Sequence, residues 1–133
     1  MGARAAPYGS PMNSRTDDQR HAVQRYYDAL DRDDLEAVLD CFSGDVLYRR
    51  PGYEVISGME KLRSYYSGDR QLAPGRHLVR DMLVEGNRVA AHGMYEGQLK
   101  QGERTAVGFA AFFSFDMNGR IAEHTTYFFT PAV

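Results

Sequence analysis

The chain has 133 residues, enough for one domain with a real core, and 16 basic against 18 acidic residues leave a formal charge of −2. That balance implies no general attraction to nucleic acid, and the single cysteine, Cys41, excludes both a disulfide framework and a thiolate metal cluster, which fits a reducing, cytoplasmic setting. No apolar run approaches the ~18 residues of a membrane span, and the opening MGARAAPYGSPMNS lacks the apolar stretch of a secretory signal. Its Gly, Pro, Ser and Ala content reads as a flexible arm over residues 1–14, with a single domain over 15–133.

Thr16 and Gln19 have the spacing of a capping box, and Val23, Tyr26, Tyr27 and Leu30 then recur at helical intervals, which predicts a first helix ending near Asp31. Asp33, with Glu36 three residues on, predicts the cap of a second, short helix whose stripe is Leu35, Val38, Leu39 and Phe42. It stops at Ser43-Gly44-Asp45. Residues 45–50 predict a strand, ended by Pro51-Gly52. Ser57 and Glu60 form another capping box, ahead of a third helix with Met59, Leu62, Tyr65 and Tyr66 on its apolar side and a stop at Ser67-Gly68. From His77 the period falls to two, and Gly86-Asn87, Gln101-Gly102 and Asn118-Gly119 predict hairpin turns separating four strands. Helices followed by a meander make an α+β plan, three helices packed on one face of a curved, mainly antiparallel sheet.

The stretch YRRPGYE, residues 48–54, poses a question within that plan. Successive strand residues point to opposite faces, so one of Arg49 and Arg50 faces the interior if the strand is half-buried. A charge taken out of water is costly unless a partner or an anionic ligand compensates it. Val46, Tyr48 and Arg50 share one face; the alternative to an interior Arg50 is one that reaches solvent or pairs with Glu54 or Asp45.

The order helix, helix, strand, Ser-Gly-capped helix and four strands ending in GRIAEHTTYFF spans residues 16–130 and resembles the nuclear transport factor 2-like (NTF2-like) superfamily. AVQRYYDALDRDDLEAVLDCFSGDVLYRRPGYEVISGMEKLRSYY is similar in particular to the opening of its ketosteroid isomerase and SnoaL-like polyketide cyclase branches. The resemblance implies a cone whose sheet wraps around the helices and encloses a deep apolar pocket, with Arg50 on the pocket face. In ketosteroid isomerases a tyrosine of the first helix and a protonated aspartate hold the oxyanion, while a second aspartate is the base. Through the motif QRY the tyrosine corresponds to Tyr26 and its supporting tyrosine to Tyr66, but Arg50 stands at the base position before Pro51 and Ala111 at about the other aspartate. Ordinary ketosteroid isomerisation is therefore not implied. In SnoaL-like cyclases the last strand often carries His-x-Asp; here it reads His124, Thr125, Thr126, so that carboxylate is missing too.

On this template the candidate catalytic residues are Tyr26, Arg50 and His124. Arg50 and Tyr26 would hold an enolate-like oxyanion and His124 would move the proton. Tyr48, Tyr53, Tyr66, Tyr95, Phe109, Phe113, Thr126 and Phe128 are the candidate substrate-binding residues, an aromatic lining that ordinary core packing would equally explain. His21, His77 and His92 have no metal-ligand spacing, and neither a metal nor a cofactor is expected. Met94, Phe112, Tyr127 and Phe129 fall on the sheet face that no helix covers, which together with the resemblance suggests a homodimer through that face. The expected activity is that of a cofactor-independent cyclase or isomerase on a hydrophobic oxygenated metabolite, such as a polyketide-derived intermediate. The alternative is a non-catalytic protein that binds a similar small molecule, and the missing carboxylates favour it. Epoxide opening would call for pocket carboxylates to activate water, and no convincing set of them is present.

Overall fold

The computed structural model describes residues 11–70 and 75–130, the side chains of 11–14 and 69 excepted. Most of the expected arm, residues 1–10, lies outside the described residues. Helix α1 spans Pro11–Asp31 and so begins ahead of the Thr16 capping box. Gln19 is released from capping and its side chain donates instead to the carbonyl of Gly86 at 2.9 Å, tying the helix to a hairpin turn. Val23, Tyr26, Tyr27 and Leu30 are buried as their spacing requires.

Helix α2, Leu35–Asp40, is capped by Asp34, whose carboxylate accepts the Ala37 N–H at 3.1 Å. Asp33 is not the cap; it sits at φ 57° in the turn joining the two helices. Phe42, expected at the end of this helix, opens strand β1, Phe42–Arg49, where it is buried. Ile56–Ser57 forms a two-residue strand β2 antiparallel to β1. Ser57 therefore does not cap α3, Met59–Ser64; Gly58 stands at that position at φ 91°, a conformation a residue with a side chain would adopt only under strain. After α3 the chain widens into a π-helical turn, Tyr65–Asp69, closed by the Arg70 N–H on the Tyr65 carbonyl at 2.8 Å.

Strands β3 (Arg76–Glu85), β4 (Arg88–Gln98), β5 (Arg104–Phe115) and β6 (Ile121–Phe128) follow the predicted hairpins. The sheet runs β2-β1-β6-β5-β4-β3, and only the β1–β6 pair is parallel. Its register decides what meets on the inner face. Tyr48 of β1 and Phe113 of β5 both lie opposite His124 of β6, and Ala111 lies opposite Thr126. Helix α1 covers that row, while Phe112, Tyr127 and Phe129 stay exposed on the outer face at 47, 56 and 90 %. No helix among the described residues is long and apolar enough to cross a membrane.

Candidate functional site

Between α1 and the inner face lies a narrow cavity. Of the residues expected there, Tyr26, Tyr48 and Arg50 line it from α1 and β1, and Phe109, His124, Thr126 and Phe128 line it from the sheet. The others stand behind. Tyr66 shares a 2.5 Å hydrogen bond with the Tyr26 hydroxyl, Phe113 stacks on His124, Tyr95 packs beside His77, and Tyr53 lies 5.5 Å from the Arg50 guanidinium carbon. The cavity is smaller than the resemblance implies, about 20 Å³, which is room for one water. It is also charged, because Arg50 is joined there by Arg70, which nothing in the sequence pattern had marked.

Arg50 is 7 % exposed and answers the question posed by YRRPGYE. Arg49 points outward and pairs with Glu123 at 3.1 Å, so Arg50 is the interior member of the pair. Its Nη1 donates to the Tyr48 hydroxyl at 3.1 Å, while Nε and Nη2 are buried with no hydrogen-bond partner among the described residues. Neither Glu54 nor Asp45 reaches it. Its surroundings are the rings of Tyr53, Tyr65 and Phe128, 5.0 to 5.5 Å from the guanidinium carbon. Burial opposes its charge, but the oxygens of Tyr48, Tyr65 and Tyr66 more than offset this, and it holds its proton more firmly than an ordinary arginine.

His124 lies flat between two rings, 4.7 Å from Tyr48 and 4.2 Å from Phe113, with interplanar angles of 6 and 14°. Its Nδ1 faces the Phe112 carbonyl at 3.4 Å and its Nε2 the Thr126 hydroxyl at 3.2 Å. A carbonyl only accepts, so Nδ1 carries the proton and Nε2 accepts from Thr126. Burial, against a raising effect of the carbonyl and with a further lowering by the Arg50 charge, brings its pKa down to about 3. A neutral imidazole with both nitrogens engaged suits the wall of a site better than a proton carrier.

A different histidine has the geometry of a base. The Asp31 carboxylate, at the end of α1, accepts the backbone N–H of His77 at 2.9 Å with one oxygen and faces its Nδ1 at 2.6 Å with the other. Nδ1 is therefore the protonated nitrogen, and Nε2, which has no hydrogen-bond partner among the described residues, is the basic one. His77 lines the same cavity as Arg50. Its pKa is lowered, by burial first and also by the Arg70 and Arg50 charges, against the raising influence of Asp31. It is neutral and able to accept a proton at neutral pH. The pair escaped the sequence because Asp31 and His77 are 46 positions apart and form no motif. One signal was present: Asp31 stands four residues after Tyr27, on the buried side of α1.

The Tyr26 hydroxyl is held by Tyr66, and its pKa lies well above the ordinary phenol range, chiefly through burial and next through neighbouring tyrosines. It stays a phenol and can serve as a donor.

The sequence model of the SnoaL-like domain matches residues 23–124. No curated protein matches the chain. Among solved structures, an NTF2-like protein from Burkholderia pseudomallei superposes with a TM-score of 0.75 at 20% identity, over 84% of this chain and 90% of that one. A ketosteroid isomerase-like protein from Erwinia carotovora atroseptica gives 0.71 at 19% identity, covering 90 and 99%. A putative polyketide cyclase from Xanthomonas campestris pv. campestris gives 0.70 at 24% identity, covering 85 and 91%. At such identities the likeness shows the fold alone, an NTF2-like α+β cone.

Proposed function

The chain belongs to the SnoaL-like domain family, and we propose that within it the protein is a small cofactor-independent enzyme, of the cyclase or isomerase kind, acting on an oxygenated metabolite. The observation that carries this reading is the Asp31–His77 pair facing the same cavity as the unpartnered donors of Arg50. His77 Nε2 takes a proton from carbon next to a carbonyl, the C–H electrons move into the enolate, and the new oxyanion rests on Arg50. Asp31 balances the imidazolium that forms. Return of the proton to another carbon gives an isomer; attack of the enolate carbon on a second carbonyl gives a ring and an alkoxide, to which His77 returns its proton. A positioned base contributes typically 10²–10⁴-fold and an oxyanion donor roughly 10²–10³-fold. Tyr48 aims the guanidinium, Tyr26 offers a second donor, and His124 and Thr126 form the wall behind them.

The test is exchange of α-protons into D2O for a panel of cyclic 1,3-diketones and enones, followed by proton NMR. Wild-type protein should accelerate exchange for at least one class. His77→Gln and Asp31→Asn should each reduce that acceleration by about 10² or more while the fold persists. A folded wild-type protein that binds members of the panel but exchanges none of them is a binding protein, the competing reading.

A further inference from the structure

Among the described residues, the buried side-chain nitrogen and oxygen atoms without a hydrogen-bond partner are Nε and Nη2 of Arg50, Nε of Arg70 and the hydroxyl of Tyr65. They are not scattered. Arg50 and Arg70 line the same cavity, the Tyr65 ring lies 5.3 Å from the Arg50 guanidinium carbon, and Arg70 is anchored by its own N–H to the Tyr65 carbonyl. Both arginines are 7 % exposed, and among the described residues neither forms an ion pair. Arg70 lies 5.8 Å from the Tyr66 ring centroid, and such cation–π contacts offset only part of the cost of desolvating a guanidinium. The nearby Asp31 carboxylate is already engaged, with both oxygens on His77.

A neutral ketone would leave this site unbalanced. Its oxyanion exists only during reaction, whereas the resting site holds two cations against the single carboxylate of Asp31, whose oxygens are turned to His77. We propose that the substrate is an anion from the start, a carboxylate whose two oxygens are shared between Arg50 and Arg70. This rests on the reading of the cavity as a ligand site given above, and adds the class of the ligand. The planar forks of arginine match a carboxylate, whose head is larger than the one water that a space of about 20 Å³ admits and therefore enters only as the lining gives way. The remainder of the molecule then runs past Phe128, which is half-buried at the cavity edge, or displaces one of the long arginine side chains.

The experiment titrates the full chain with acetate and benzoate, with acetamide and benzamide as neutral counterparts, and with inorganic phosphate, by calorimetry. At least one carboxylate should bind 10-fold or more tightly than its amide. Arg70→Met should lower that affinity at least 10-fold and amide binding by less, with Arg70→Lys between Met and wild type. Without ligand, Arg70→Met should also melt at a higher temperature than wild type, because an unpaired buried charge has gone. The proposal is overturned if amides bind as well as acids, if phosphate outcompetes both carboxylates, or if no carboxylate binds up to its solubility limit. It fails equally if Arg70→Met lowers the melting temperature and spares carboxylate affinity, which would make Arg70 structural; where Met does not fold, Arg70→Lys alone decides through affinity. Carboxylate binding without any proton exchange would remove the enzymatic reading and leave this one. Exchange on neutral diketones without carboxylate binding would do the reverse.

Discussion

At the scale of single residues, two histidines of one pocket differ because of what their nitrogens meet. Thr126 and the Phe112 carbonyl occupy both nitrogens of His124, and burial brings its pKa to about 3. Asp31 takes one nitrogen of His77, and the other has no hydrogen-bond partner among the described residues. Both folded-state pKa values are depressed below that of an unfolded histidine, so the neutral ring stabilises the fold above about pH 6.5 and that stabilisation is lost as the pH falls. For His124 the loss extends down to about pH 3, on the order of 1 kcal/mol per pH unit. Urea unfolding at pH 7, 6, 5 and 4 checks it: His124→Gln should be less stable than wild type at pH 7, and the gap should close toward pH 4. An unchanged gap would mean that His124 titrates normally in the folded protein. Arg50 yields a second series. Arg50→Lys keeps the charge without the fork and Arg50→Met keeps neither, so activity should fall in the order wild type, Lys, Met. A substrate that is already a carboxylate loses affinity first in this series, whereas an oxyanion formed only in the transition state loses kcat first.

At the scale of elements, close backbone approaches decide how the sheet curves around the site. Gly93 of β4 faces β3 next to an irregularity in register between Val79 and Asp81. A Cβ there would land on the Leu78 carbonyl oxygen, a backbone atom that cannot turn aside. Gly93→Ala should therefore cost about 1–3 kcal/mol, as overpacking does, and shift the urea midpoint without changing the slope. The hydrogen bond between Tyr26 and Tyr66 joins α1 to the π-helical turn that leads into Arg70. Tyr66→Phe leaves a hydroxyl of the pair unsatisfied in a buried setting and should cost roughly 1–3 kcal/mol in the same measurement.

For the whole molecule, the outer face is the open issue. Phe112 and Tyr127 sit edge to face at 6.2 Å with no helix among the described residues over them, and Phe129 is almost fully exposed. Apolar strands on both faces call for cover on both, and a second copy of the chain would supply it symmetrically. Light scattering at micromolar concentration should give twice the 15.0 kDa chain mass. Tyr127→Glu with Phe129→Glu should return it to the monomer; a dimer that survives the double substitution uses another surface.

Local chemistry alone determined a good part of this protein. The turns at Gly86-Asn87, Gln101-Gly102 and Asn118-Gly119 placed four strands, the spacing of Val23, Tyr26, Tyr27 and Leu30 placed the covering side of α1, and alternation put Val46, Tyr48 and Arg50 on one face, which the family resemblance made the inner one. Each depends on a period of two or 3.6 residues, which a chain carries in its order. What needed the tertiary structure is whatever joins distant segments. Strand β2 exists only because β1 offers it an edge, and that pairing takes Ser57 away from the cap of α3. Parallel pairing of β1 with β6 lays Tyr48 against His124, and the antiparallel β5 closes the other side of the ring with Phe113. Asp31 reaches His77 across 46 positions, and the widened turn after α3 brings Arg70 to the cavity that holds Arg50. The charge of that cavity and its width of a single water are sums over segments that no local pattern adds together, because hydrogen-bond partners and desolvation are properties of neighbours in space.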